Sequence, residues 1–204
     1  MKTSRFAYYG ALIVLFAGIC TCGCIADEEA YSSAFSLYEH AEARCSEINW
    51  EMSPPELTDA KLQGAEVNLN EALMIVDTLQ PDSASDKPSA AYALRELILG
   101  KVSYVSAARE VSSAQAHILN AGDAATLYQY ADWYLEMHAA MGNLALADNA
   151  LFRADTRMNG INMTLVPVEM RSDIAEAKAL NSNFGGLILS LERSVELALE
   201  ERNP

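Results

Sequence analysis

From residue 27 onward one pattern recurs and another is missing: apolar side chains return at steps of three and four residues, and no stretch alternates apolar with polar residues between hairpin turns. The first spacing is the helical repeat and the second the strand repeat. The pattern therefore predicts an all-α domain. Tyr31, Phe35, Tyr38, Ala41, Cys45 and Ile48 line one face of a first helix, and Cys45 reads as a small buried thiol on it. Ser53, Pro54 and Glu56 have the spacing of a capping box ahead of a second helix that runs to about Gln80. Within it Leu62, Ala65, Leu69, Ala72, Val76 and Leu79 follow in heptad steps, which favour near-antiparallel packing at ~20°.

The segment 81–89, PDSASDKPS, is a turn-rich connection, and Pro88 suits the first turn of a third helix reaching about Asn120. Its buried side carries Leu94, Ile98, Val102, Val105 and Ala108, and Gly100 weakens it slightly. Gly122 and Asp123 supply a stop and a start. Leu127, Tyr130, Tyr134, Met137, Met141 and Leu144 then fall in register, continued by Ala147, Leu151, Ala154 and Met158, with a bend or split at 141–143. The pattern breaks over 157–169, and Pro167 opens a last stretch ending near Arg202. Ile174, Ala177, Phe184, Ile188, Leu191, Val195 and Ala198 hold a helical phase across Gly185 and Gly186, where a kink is expected because the pair costs ~2 kcal/mol relative to Ala. Five long antiparallel helices on short connections make an up-and-down bundle with one core from 30 to 202.

What precedes the bundle differs in kind. Lys2 and Arg5 are the only charges before Asp27, and residues 6–26 form an uncharged run. This is the pattern of a secretory signal, and its length also suits a single membrane span. Either way Lys2 and Arg5 stay in the cytoplasm and Asp27, Glu28 and Glu29 emerge on the far side. Cys20, Cys22 and Cys24 alternate, whereas structural zinc sites space paired ligands more widely. Of the residues before each cysteine, Gly23 best suits cleavage. TCGC, residues 21–24, resembles the lipobox of prokaryotic membrane lipoproteins, with Thr21 where that family prefers an aliphatic residue, and GCIADEE is similar to the surface lipoproteins of methanogenic archaea. The resemblance covers the leader alone. It implies a signal over 1–23, lipid on Cys24 and a short acidic linker to residue 29; the alternative is a leader retained as a transmembrane anchor.

The net charge of −14 is carried by acids scattered along the helices, and no basic stripe interrupts them. Such a domain repels phosphate backbones, which excludes nucleic acid as a partner. His40, His117 and His138 fall in three different helices, and Leu37, Ala114 and Leu135 stand where a di-iron bundle places glutamates. HExxH, a Gly-rich phosphate loop and G-x-S-x-G are all missing from the sequence. No catalytic residue, metal ligand or cofactor is assigned. Trp133, Tyr134, Glu136 and His138 are the candidate lining of a ligand pocket, and Asn162 opens the glycan-acceptor tripeptide Asn-Met-Thr. The run from Gly142 to Asp155 resembles the turn and second helix of a tetratricopeptide repeat at Gly142, Ala147, Leu151 and Ala154, although Leu135 occupies a small-residue position and no second copy recurs.

These features predict a membrane-tethered, extracytoplasmic helical protein, a noncatalytic scaffold or interaction module with a protein partner at the cell surface. The alternatives are a small-ligand or cation-binding surface lipoprotein, a tetratricopeptide-like adaptor, and an extracytoplasmic enzyme with an unrecognised site.

Overall fold

The computed structural model describes residues 28–50, 53–79, 90–164 and 166–201. The leader, Cys24 and the 81–89 connection with Pro88 lie outside the described residues. Among those described there is no strand, and five helices follow one another: α1 (28–46), α2 (Pro55–Thr78), α3 (Ala90–Thr126), α4 (Tyr130–Gly160) and α5 (Val168–Glu201). The chain is an all-α helical bundle, and its side-chain pairs show that successive helices reverse direction. Lys61 near the start of α2 reaches Glu47 just past the end of α1. Arg95 reaches Asp77 across α2 and α3, while Arg109 further along α3 reaches back to Asp59 and Glu66. Glu96 pairs with Arg157, and His117 with Glu136, across α3 and α4. The buried Asn181 of α5 donates to Asp155 Oδ1 of α4.

α3 is the central helix, and α4 is its most extensive partner. Along the α4 side α3 carries a small residue at every seventh position: Ala93, Gly100, Ala107, Ala114 and Ala121, all buried. α4 carries Ala140, Ala147 and Ala154 at the same interval, also buried. A Cβ built on Gly100 would lie 3.0 Å from Met158 Cε and 3.5 Å from the Ala154 carbonyl oxygen. In an antiparallel pair that contact brings Ala107 level with Ala147 and Ala114 level with Ala140. Helix separation follows the size of the side chains at the contact, so small residues allow a close approach of the two axes.

The other side of α3 meets α1 through a buried charge. Lys101 is 1% exposed; its Nζ donates to Glu42 Oε1 at 2.9 Å and sits 4.8 Å from the centre of the Tyr104 ring. The carboxylate neutralises the ammonium, and the ring face adds cation–π attraction. Cys45 is a buried free cysteine beside this pair, and burial raises its thiol above the ordinary range, partly opposed by Lys101. The thiol is therefore held protonated and unreactive. Burial first, and the Glu42 carboxylate second, push the Tyr38 hydroxyl well above the phenol range, and that hydroxyl lacks a well-formed hydrogen bond. Phe184 of α5 completes the core between Trp50 and Tyr104, with both ring centres 5.0 Å away.

Four local expectations are corrected. Ser53 does not cap α2: the helix starts at Pro55 after an extended Pro54, and no side chain caps it. Pro55 disfavours a helical Pro54, which moves the start one residue on. α3 does not stop at Gly122 but continues to Thr126, because burial of Ala121 and Ala124 outweighs the ~1 kcal/mol a mid-helix glycine costs. α4 is one helix through 141–143, so the turn that a tetratricopeptide pair needs at Gly142 is not formed. Its buried face carries Trp133, Met137, Ala140 and Leu144, while Tyr130 and Tyr134 are exposed. The alanine seam turns the tyrosines outward. The expected helical phase of α5 is kept, and one helix spans Val168–Glu201 with Gly185 and Gly186 inside it.

Gly100→Val is expected to lower the unfolding free energy by about 1–3 kcal/mol through overpacking against Met158, whereas Gly142→Ala, where a Cβ meets nothing within 4 Å, should raise it by about 1 kcal/mol; chemical denaturation checks both. Glu42→Ala should cost about 3 kcal/mol or more, since it strands a fully buried ammonium. Lys101→Met should cost on the order of 1–2 kcal/mol, because the Glu42 side chain, 23% exposed, can rehydrate. The reverse order would show that the pair does not hold α1 to α3.

Candidate functional site at the α3–α4 tip

The tip is built by the way α3 ends. Tyr128 stands in the left-handed region at φ 59°, the one non-glycine residue with positive φ among those described. Its N–H donates to the Ala125 carbonyl, and the Gln129 N–H to the Ala124 carbonyl. This pair of bonds is a Schellman motif, which satisfies orphan carbonyls and stops the helix. Three residues later the chain is helical again at Tyr130. A turn this tight leaves Leu127, Tyr128 and Tyr130 no core to enter. Tyr128 is 78% exposed, and Tyr130, Tyr134 and His138 follow at four-residue steps down the outer face of α4. The Tyr128 and Tyr130 rings meet edge to face at 6.5 Å, and those of Tyr134 and His138 at 4.3 Å. Leu119 of α3 and Leu135 of α4 are exposed as well.

Charge sets this end apart. No lysine or arginine occurs from residue 110 to 152, while Glu110, Asp123, Asp132, Glu136 and Asp148 do. Within this stretch the charged side chains are carboxylates, apart from the two histidines. Glu136 Oε2 lies 2.6 Å from His117 Nδ1 and 3.5 Å from Asn120 Nδ2, which ties the tip of α4 to α3. The His117 hydrogen bond, more than any other influence, holds the Glu136 carboxyl below the ordinary carboxylate range.

The four residues expected to line one pocket do not converge on one. Trp133 is buried against the core, Glu136 turns to α3, and Tyr134 and His138 share the outer face. Cys24 lies outside the described residues, and Asn162 is exposed in the loop between α4 and α5. Leu127, expected in the buried register of the fourth stretch, is a surface residue, as is Tyr128. The signal was there in the close-set aromatics at 128, 130, 133 and 134, which one helical face cannot all bury. Two surface grooves lie elsewhere, and ion pairs occupy both. Arg109 spans Asp59 and Glu66 between α2 and α3, and Glu96 meets Arg157 between α3 and α4.

Among the described residues no three His, Cys, Asp or Glu side chains are grouped to hold a metal ion, and no helix is long and apolar enough to cross a membrane. Comparison with protein families, with curated proteins and with solved structures finds no match for the chain.

A carboxyl lowered by folding contributes stability above its unfolded value and loses that contribution as pH falls through the lowered one. His117→Ala should therefore lower the melting temperature at neutral pH and flatten its decline on acidification through the carboxylate range. A variant whose acid limb matches the parent would show that the Glu136 tie adds nothing.

Proposed function

We propose that this chain is a membrane-tethered, extracytoplasmic helical module, noncatalytic, which presents the α3–α4 tip to a protein partner at the cell surface. One observation carries the reading: the exposed Tyr128, Tyr130, Tyr134 cluster stands at the opposite end of the bundle from the start of α1, into which the leader feeds. Tyrosine offers large apolar area and a polar edge at little entropic cost, and is enriched where proteins meet. The partner chemistry follows from the carboxylates of the stretch 110–152: an apolar groove rimmed by lysine or arginine. Such complementarity speeds encounter and fixes orientation. The tether itself rests on the sequence, with Lys2 and Arg5 before an uncharged run and Gly23 before Cys24. Lipid on Cys24 is the proposed anchor, and a retained leader helix is the variant of the same reading. Small-ligand binding draws less support, because Trp133, Glu136 and His138 face different ways.

Tyr128→Gly tests the tip without threatening the fold. Glycine suits the left-handed position, so the variant should be as stable as the parent or more stable by about 0.5–1 kcal/mol. In cross-linking on native membranes, Tyr128→Gly combined with Tyr134→Ser should cut the yield of a discrete cross-linked partner at least tenfold. Met74→Ser, at an exposed position on α2, should leave it unchanged. Equal yields from all three proteins would remove the tip as the contact surface, and a native amino-terminal peptide that begins at Met1 without lipid would remove the Cys24 anchor.

A further inference from the structure

The loop between α4 and α5 is held at both ends by buried apolar residues, Ile161 at 5% and Val166 at 4% exposure, while Asn162 and Thr164 between them are exposed. The loop is thus fixed to the bundle and still presents the Asn-Met-Thr tripeptide to solvent. Thr164 folds back on Asn162: its backbone N–H lies 3.1 Å from Asn162 Oδ1, and its Oγ1 lies 2.8 Å from the same oxygen. A backbone N–H can only donate, so the side-chain atom facing it must be the carbonyl oxygen. The amide nitrogen Nδ2 therefore points away, and it makes no hydrogen bond among the described residues. The hydroxyl that the acceptor signal requires two residues on already rests against the asparagine side chain.

We propose that Asn162 is an N-glycan acceptor that takes an oligosaccharide from a lipid-linked pyrophosphoryl donor. In that transfer Nδ2 forms a bond to the anomeric carbon, the bond from that carbon to the phosphate oxygen breaks, the lipid pyrophosphate departs, and a base of the transferase takes the Nδ2 proton. The place of the loop fits the chemistry. The Tyr31 hydroxyl near the start of α1 meets Met170 Sδ near the start of α5, so the loop before α5 lies at the end of the bundle where α1 begins. The described part of α1 begins four residues after Cys24. A donor anchored in lipid is used at the membrane surface, and this is the end the tether keeps nearest to it. The 31 residues of α4 place the α3–α4 tip about 45 Å away, so a glycan here leaves the tip uncovered.

The proposal rests on the tethered, exported reading, and the test separates the two. The protein is isolated from the membrane and soluble fractions of its native cells and digested with trypsin, which releases residues 158–171 as one peptide, and mass spectrometry reads that peptide and the amino-terminal one independently. A carbohydrate mass on 158–171 that disappears in Asn162→Gln and Thr164→Ala, and persists in Thr164→Ser, is the expected result. Both loss variants should keep the parent melting temperature, since Asn162 and Thr164 are exposed. An unmodified 158–171 peptide from protein whose Cys24 carries lipid overturns the proposal and leaves the tether standing. An unmodified peptide from protein that retains Met1 and stays in the cytosol overturns both.

Discussion

The small side chains at seven-residue intervals on α3, matched by those on α4, are the constraint on which the rest of the bundle depends. Because Gly100 has no Cβ to hold Met158 and the Ala154 carbonyl away, the two longest-paired helices approach closely, and each neighbour of α3 is placed relative to that pair. A close antiparallel approach also fixes rotation: the alanine face must turn inward along the full length. For α4 this means Trp133 enters the core and Tyr130 and Tyr134 leave it. The exposed tip is thus a consequence of the seam, reached without any local instruction to expose tyrosines.

Charge acts in two ways in this structure. Inside, Lys101 holds α1 through Glu42 with its ammonium withdrawn from water, a contact whose value lies in fixing one arrangement of helices as much as in net stability. Outside, most pairs are exposed or half-exposed, such as Arg109 with Asp59 and Glu66, and exposed pairs contribute little. The surplus of carboxylates is uneven, since the stretch 110–152 has none of the cations that elsewhere offset them. A bundle in which α1 and α5 begin at one end and exposed tyrosines stand at the other has two different ends, and that polarity underlies the functional reading.

The helices themselves were legible wherever one face buries a single stripe. On α2, Leu62, Ala65, Leu69, Ala72 and Val76 are all buried as the heptad spacing predicts, and on α5 the phase through Phe184 and Ile188 holds across the glycine pair. α3 is less legible, because a central helix buries several faces and its periodicity blurs. The apolar residues Leu94, Ile98 and Val105 stood out, while the alanine and glycine stripe that sets its main partner passed as featureless. Helix ends were the other weak point. Gly122 and Ser53 have the chemistry of a stop and a cap, but Ala121 and Ala124 gain more from continued burial, and Pro55 imposes its own start on α2.

The sequence by itself determined the fold class, the number of long helices and the acidity, because helical periodicity and charge are properties of the chain read in order. It also carries the leader pattern and the Asn-Met-Thr tripeptide. Only the tertiary structure decided which residues meet: that Lys101 is buried against Glu42, that Glu136 turns to His117 and away from His138, and that the tyrosines of 128–134 form a surface. The physical reason is that each of these is set by the rotation of one helix against another. That rotation depends on close packing between residues far apart in sequence, at positions where alanine and glycine carry no hydrophobic signal of their own.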